Sequence, residues 1–292
     1  MRAKTFLGTA VGLGAAGATY SFLEPYLFRL VEHRLVGGAQ VPPVTVLHVS
    51  DTHLSASDTA RARWVRSLPE RISSQPDLVI ATGDLINDDS GIAPAVEALG
   101  GLEGRWGSFY VLGSHDYYQA RFETYLKYLH PGREQRSARA AATGDLETGL
   151  KAAGWVPLTN STEVLETDLG RVRLCGVDDP YLGRHRTDHL TRMPGDDLAI
   201  AVMHAPDLVS NVALAGFDLA LAGHTHGGQV RVPMMGAIVT NCTLPAALAA
   251  GPHQIGAMWL HVSPGLGTGR YAPIRFNCRP EATILRLGPP LT

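Results

Sequence analysis

Cysteine, basic runs and charge are all scarce in this chain of 292 residues. Its three cysteines, Cys175, Cys242 and Cys278, show no Cys-x-x-Cys spacing, which excludes an ordinary structural zinc site. An odd count also excludes a complete disulfide framework. Buried thiols acting as small apolar residues are the expected state, with one bridge, Cys242 to Cys278, left open. Charged residues make up 18% and the formal net charge is −2, with no long Lys/Arg run. The electrostatic footprint of a duplex nucleic-acid binder is therefore missing, and nucleic acid is not expected as a partner. What is present is 45% hydrophobic residues, enough for a substantial core and against disorder.

One long uncharged run stands out. Phe6–Leu23 follows Arg2 and Lys4 and has 18 residues, within the length that can span a bilayer. Residues 1–24 thus read as a membrane anchor or signal segment, which makes the protein membrane-associated or exported. Arg29 and Arg34 follow the run as well, so loop charge gives no orientation. Residues 25–43 read as a connecting segment, closed by Gly37-Gly38 and Pro42-Pro43. Within it Pro25–Val36 suits either a strand or a short helix.

Residues 44–292 read as one α/β domain. Val44–Val49, Leu78–Ile80 and Phe109–Leu112 are short apolar runs of buried-strand type, separated by helical spacing over Ala60–Ile72 and Ile92–Leu99. Residues 131–149 break this rhythm and read as a mobile surface insertion. Thr162–Leu169 and Arg171–Val177 flank Gly170 as a hairpin. Leu198–Met203, Leu219–Ala222, Gln229–Val232, Ala237–Thr240, Met258–Val262 and Ala282–Leu287 read as further strands.

Five polar segments follow such runs: Asp51-Thr52-His53, Gly83-Asp84, Gly113-Ser114-His115-Asp116, His204, and Gly223-His224-Thr225-His226. Together they supply carboxylates and imidazoles, a donor set suited to two divalent ions such as Mn²⁺, Fe²⁺ or Zn²⁺. Two such ions clamp a phosphoryl group and acidify a water. Asp51 and His53, alternate residues of an extended segment, would point the same way. Asp84 is the natural bridging carboxylate, because its two oxygens can hold both ions. The motifs fall in both halves, so the site lies where the halves meet.

In this order the motifs resemble the calcineurin-like metallophosphoesterase superfamily. The likeness runs from about Val44 to Leu287 and is greatest to bacterial membrane-associated or exported phosphodiesterases of the YkuE/YaeI type. Glu24-Pro25, Ser50–Leu54, Ala222–Gln229 and Val262–Gly267 support it. The resemblance implies a four-layer αββα sandwich of two mixed β-sheets flanked by helices, with the metal site on loops at strand ends. It implies one ion on Asp51, His53, His226 and the shared Asp84, and a second on Asp84, His204, His224 and an asparagine. Ser114 stands where that asparagine is expected, so a water, a weaker second ion, or Asn87 from the preceding loop would fill the place. His115 matches the residue that protonates the leaving oxygen, and Asp116 would orient it or hold the loop. The expected activity is metal-dependent phosphodiester hydrolysis near the membrane, by attack of a hydroxide bridging the ions, on a phosphate-ester substrate that a membrane anchor would make lipid-linked. The alternatives are a phosphomonoesterase or nucleotide phosphatase, and a metal-binding protein weakened by Ser114. Tyr117, Tyr118 and Tyr271 are candidates for the pocket rim, and Arg270 and Arg275 for a second phosphate contact or plain surface arginines.

Overall fold

A computed structural model describes residues 17–119 and 139–290. The first sixteen residues of the candidate anchor and residues 131–138 of the expected insertion lie outside them. Among the described residues no helix is long and apolar enough to cross a membrane.

The chain enters through a helical turn over residues 17–23 and a 3-10 turn at Glu24–Tyr26, then strand β1 (Arg29–Val36). Of the two readings open for Pro25–Val36, the strand is present, over Arg29–Val36. Strand β2 (Val44–Val49) leads to helices α1 (Thr59–Arg66) and α2 (Leu68–Arg71), β3 (Leu78–Thr82), α3 (Ile92–Leu99), β4 (Ser108–Val111) and the single turn α4 (Ser114–Tyr117). A small ribbon, β5 (Tyr118–Gln119) with β6 (Arg139–Ala140), precedes α5 (Thr143–Ala152) and β7 (Trp155–Pro157). The second half of the expected insertion is therefore an ordered helix, anchored by buried Leu146 and Leu150 one turn apart.

The second half runs through the hairpin β8 (Ser161–Thr167) and β9 (Gly170–Gly176), then β10 (Leu198–Val202), α6 (Val209–Leu214) and β11 (Leu219–Ala222). Next come a short ribbon, β12 (Arg231–Val232) and β13 (Gly236–Ala237), then β14 (Gly251–Ile255), β15 (Met258–Val262) and β16 (Glu281–Gly288).

Two six-stranded mixed sheets result, ordered β1-β16-β2-β3-β4-β7 and β14-β15-β11-β10-β9-β8. Strands β3 and β10 are buried along their whole length, which is why they read as unbroken apolar runs rather than alternating ones. Val46, Ile80, Val111, Leu174, Ile200 and Leu221 pack between the sheets. Helices α1, α3 and α5 cover the outer face of the first sheet, with Val65, Ala95, Leu99 and Leu150 in the joint. The outer face of the second is covered by α6 and irregular chain through Leu208, Val212 and Phe217. The αββα sandwich is therefore present, with a thin fourth layer. All three cysteines are free thiols, so the open Cys242–Cys278 bridge does not form.

Parallel pairing of β2, β3 and β4 is in step: Val49 lies beside Ala81, and Ala81 beside Tyr110. Strands β10 and β11 are parallel as well. Five strand ends thus open on one edge of the sandwich, where open α/β sheets place ligands.

Candidate metal centre

The loops after β2, β3, β10 and β11 bring Asp51, His53, Asp84, His204, His224 and His226 together, and the loop after β4 adds His115 and Asp116. The backbone there is unusual. Asp51, His53, Asp84, His224 and His226 all have positive φ, between 41° and 69°. Non-glycine residues adopt this region at a cost, and such strain concentrates at functional sites. Asp51 and His53 therefore meet through a tight turn rather than through the alternation of an extended segment. Glycines allow the close packing: a Cβ on Gly113 would lie 2.4 Å from Asp84 Oδ1, and one on Gly223 would lie 2.3 Å from Asp51 Oδ2.

Each imidazole is held from outside by an oxygen. His53 Nδ1 donates to Asn87 Oδ1 at 3.0 Å, and His204 Nδ1 to the Thr82 carbonyl at 2.7 Å. His224 Nε2 donates to the Asn241 carbonyl at 3.0 Å, and His226 Nδ1 to the Gly267 carbonyl at 3.2 Å. The remaining ring nitrogens then face one another. His53 Nε2 and His226 Nε2 are 3.1 Å apart, and His204 Nε2 and His224 Nδ1 are 3.3 Å apart. Asp84 Oδ2 sits between the two pairs, 3.5 Å from His53 Nε2 and 3.4 Å from His204 Nε2. Asp51 Oδ1 is 3.5 Å from His226 Nε2.

Facing lone pairs repel unless a cation lies between them, and outside oxygens that fix the tautomer are typical of metal-binding histidines. The donor atoms of Asp51, His53, Asp84 and His226 all lie within 4.8 Å of one another. The residues present therefore fit divalent metal.

Electrostatics agree. Burial pushes His53 down to about 3, with His115 adding, and His224 down to about 4, so both keep a lone pair at neutral pH. Burial also lifts Asp51 to about 7, with the Asp84 charge adding. Burial would raise Asp84 too, but the imidazoles around it, His204 first, hold it well below the carboxylate range. Burial lowers His204, yet the Asp84 carboxylate reverses this and holds it well above 6.5, so without metal His204 keeps a proton on Nε2, in the place a cation would take beside Asp84.

Asp116 is fully buried and accepts from the backbone N–H of Gly113, Leu85 and Ile86 at 2.9, 2.8 and 3.2 Å. It ties the loop after β4 to the loop after β3, the loop-holding one of its two expected roles. His115 packs edge-on against His53, with ring centroids 4.7 Å apart, and its backbone N–H donates to Asp84 Oδ1 at 2.8 Å. Ser114, His115, His224 and Tyr181 line one open pocket of about 210 Å³ over this cluster.

Several residues take other parts than the sequence suggested. Asn87 grips His53 through both its amide atoms, so it serves His53 rather than filling the place beside Ser114. Arg275 is fully buried and donates to the carbonyls of Pro264, Gly265 and Gly267, bracing the loop that covers Asp51 and His53. Arg270 pairs with Asp88 at 2.6 Å. Tyr117 donates to Asp178 at 2.8 Å, beneath Arg184. Tyr181 packs against His224 and was not singled out, because a lone tyrosine after Asp-Asp-Pro carries no spacing signal.

Residues 44–228 match the family model described as calcineurin-like phosphoesterase. The chain is 27% identical to the metallophosphoesterase YkuE of Bacillus subtilis, over 97% of this chain and 94% of that one. It is 27% identical to the phosphodiesterase YaeI of Escherichia coli, over 97% and 98%. A metallophosphoesterase of Aquifex aeolicus is 30% identical over 95% and 97%.

Proposed function

The chain belongs to the calcineurin-like phosphoesterase family, and on that premise we propose that it is a metal-dependent phosphodiesterase acting at a membrane surface. Its reaction class is hydrolysis of phosphoric ester bonds. The observation that carries the reading is the close approach of two pairs of imidazole nitrogens on either side of Asp84.

In this proposal Asp51, His53, Asp84 and His226 hold one divalent ion, and Asp84, His204 and His224 a second, of Mn²⁺, Fe²⁺ or Zn²⁺ type. When bound, two such ions supply Lewis-acid neutralisation of the phosphoryl oxygens and acidify a water. The chain's own groups do the rest. His115, at the pocket wall, carries a proton to the leaving oxygen. Asp116 keeps the turn that presents His115 level with Asp84. Ser114 is too short to replace an amide ligand, so the second ion is the more weakly held. Asn87, Thr82, Asn241 and Gly267 keep the four imidazoles in the ligating tautomer.

The diester and membrane parts rest on two supports. One relative bears the name phosphodiesterase. The other is exposed apolar surface: Phe22, Leu23 and Tyr26 on the entering segment, and Met234, Met235, Ile238 and Val239 beside the pocket, which Val239 also lines. Phe276 packs on Tyr20, and its carbonyl accepts from Arg231 N–H at 2.9 Å, which ties the entering segment to the β12–β13 ribbon. Such a surface suits a lipid-linked phosphate ester.

The test is turnover of a chromogenic nitrophenyl phosphodiester beside its monoester, with Mn²⁺ titrated into metal-free protein and Asp84→Asn as control. Diester turnover should rise with metal and vanish in the variant. Faster monoester turnover would replace the reading with a phosphomonoesterase. Absence of metal-dependent turnover of either by folded protein would sink it.

A further inference from the structure

Between the two sheets, beneath the metal centre, lies a second group of donor side chains. His33 on β1, Glu281 on β16 and His261 on β15 bring one donor atom each to within 4.8 Å of one another. His261 is fully buried, Glu281 nearly so, and His33 half-buried.

The tautomer of His261 follows from a hydrogen-bond chain that begins at Asp51. Ser50 donates to Asp51 Oδ2 at 2.5 Å, and Thr82 donates to Ser50 Oγ at 2.6 Å. The only hydroxyl hydrogen of Thr82 is thereby committed. Across 2.9 Å, His48 Nε2 must therefore be the donor and Thr82 Oγ1 the acceptor. His48 is fully buried with a hydroxyl and an imidazole as its partners and no carboxylate, so it is neutral and carries one N–H only. Its Nδ1 is an acceptor, and His261 Nδ1–H donates to it at 2.8 Å. His261 Nε2 is left as a bare lone pair, buried and with no partner among the described residues.

We propose that His33, His261 and Glu281 bind one divalent ion of zinc type, separate from the centre at Asp84, that clamps the first sheet to the second. Two imidazoles and a carboxylate, with water in the fourth position, are an ordinary zinc donor set. Arg29 at 2.8 Å and Thr283 at 2.9 Å each take one lone pair of the Glu281 carboxylate, which leaves one free on each oxygen and fixes the group's direction. In tetrahedral zinc the donors stand about 3.3 Å apart, so a small side-chain adjustment closes the site. Half-buried His33 gives the ion a way in.

The inference does not depend on the phosphodiester reading, because its test counts metal. Full-length protein, Asp84→Asn and His33→Ala are equilibrated with the same free Zn²⁺ and their bound zinc is measured by mass spectrometry. His33→Ala should bind one ion fewer than the parent, with diester turnover within about twofold. Asp84→Asn should keep that ion. Anomalous diffraction at the zinc edge from parent crystals should place a peak among His33, His261 and Glu281, whatever the variants' folding. An unchanged zinc count in folded His33→Ala, or parent crystals without that peak, would overturn the site.

Discussion

At the scale of single residues, His115 and Ser114 give the sharpest expectations. A proton donated in the transition state matters most when the leaving group is basic. Replacing His115 by glutamine should lower kcat about 10²–10⁴-fold for an alkyl diester and far less for a nitrophenyl one. A leaving-group series measures this, and a uniform loss across the series would deny His115 the role of acid. Ser114→Asn should restore an amide ligand beside Asp84. The Mn²⁺ concentration for half-maximal activity should then fall about tenfold, or ~1.4 kcal/mol. Metal titration of both proteins checks it, and an unchanged midpoint would show that position 114 does not contribute to the second ion.

At the scale of elements, the site is a set of turns that only small residues permit. A methyl group on Gly113 meets Asp84 Oδ1 at 2.4 Å. Gly113→Ala should therefore weaken metal binding about 10–100-fold while circular dichroism stays near that of the parent. Equal metal affinity would mean that the loop yields. The same turns mark the limit of what the amino-acid order disclosed. All six ligand-type residues were legible, because each follows an apolar strand in a fixed order. Their meeting geometry was not, since alternation along Asp51-Thr52-His53 suggests an extended segment whereas both residues are left-handed. Strands β2, β3, β10, β11 and β15 were legible because burial on both faces writes them as apolar runs. Strand β1 was ambiguous, being half-exposed at a sheet edge, and β7 and β14 are too short or too polar to signal at all. Helix α5 hid inside a polar stretch, where Leu146 and Leu150 alone mark its buried side.

At the scale of the whole molecule, pH acts through histidines folded into the interior. Unfolded, His48 takes a proton near 6.5; folded, burial defers this to about 3. Between those values the unfolded chain binds the extra proton, so stability is full above pH 6.5 and falls as pH drops through that window. His53, held to about 3, and His224, held to about 4, add to the same slope. Asp51, lifted to about 7, opposes them, so the His48 share is read as a difference: chemical denaturation at a series of pH values should show that His48→Gln loses less stability than the parent as pH falls from 6.5, and an identical pH dependence in the two proteins would contradict the burial argument. The proposed membrane attachment would act at this scale as well. The Glu24 carboxylate accepts from the backbone N–H of Asn277 and Cys278, both at 2.7 Å, next to the Arg275 that braces the metal loop. An anchor preceding Glu24 would therefore hold the pocket at a set attitude to the bilayer. Replacing Met234 and Met235 by serine should reduce sedimentation with lipid vesicles, and unchanged sedimentation would place the contact elsewhere.

The position of β16 has a consequence in time. It lies between β1 and β2, parallel to one and antiparallel to the other, and it pairs with every residue of β1. Strand β1 leaves the ribosome some 250 residues ahead of its partner. Pairing across some 250 residues of separation is slow, and until it occurs both edges stay open. Nascent chains stalled before Glu281 should leave Arg29–Val36 open to protease, and chains extended past Gly288 should protect it. Everything from β2 to β16 must therefore be made before the entering segment and the catalytic sandwich become one body.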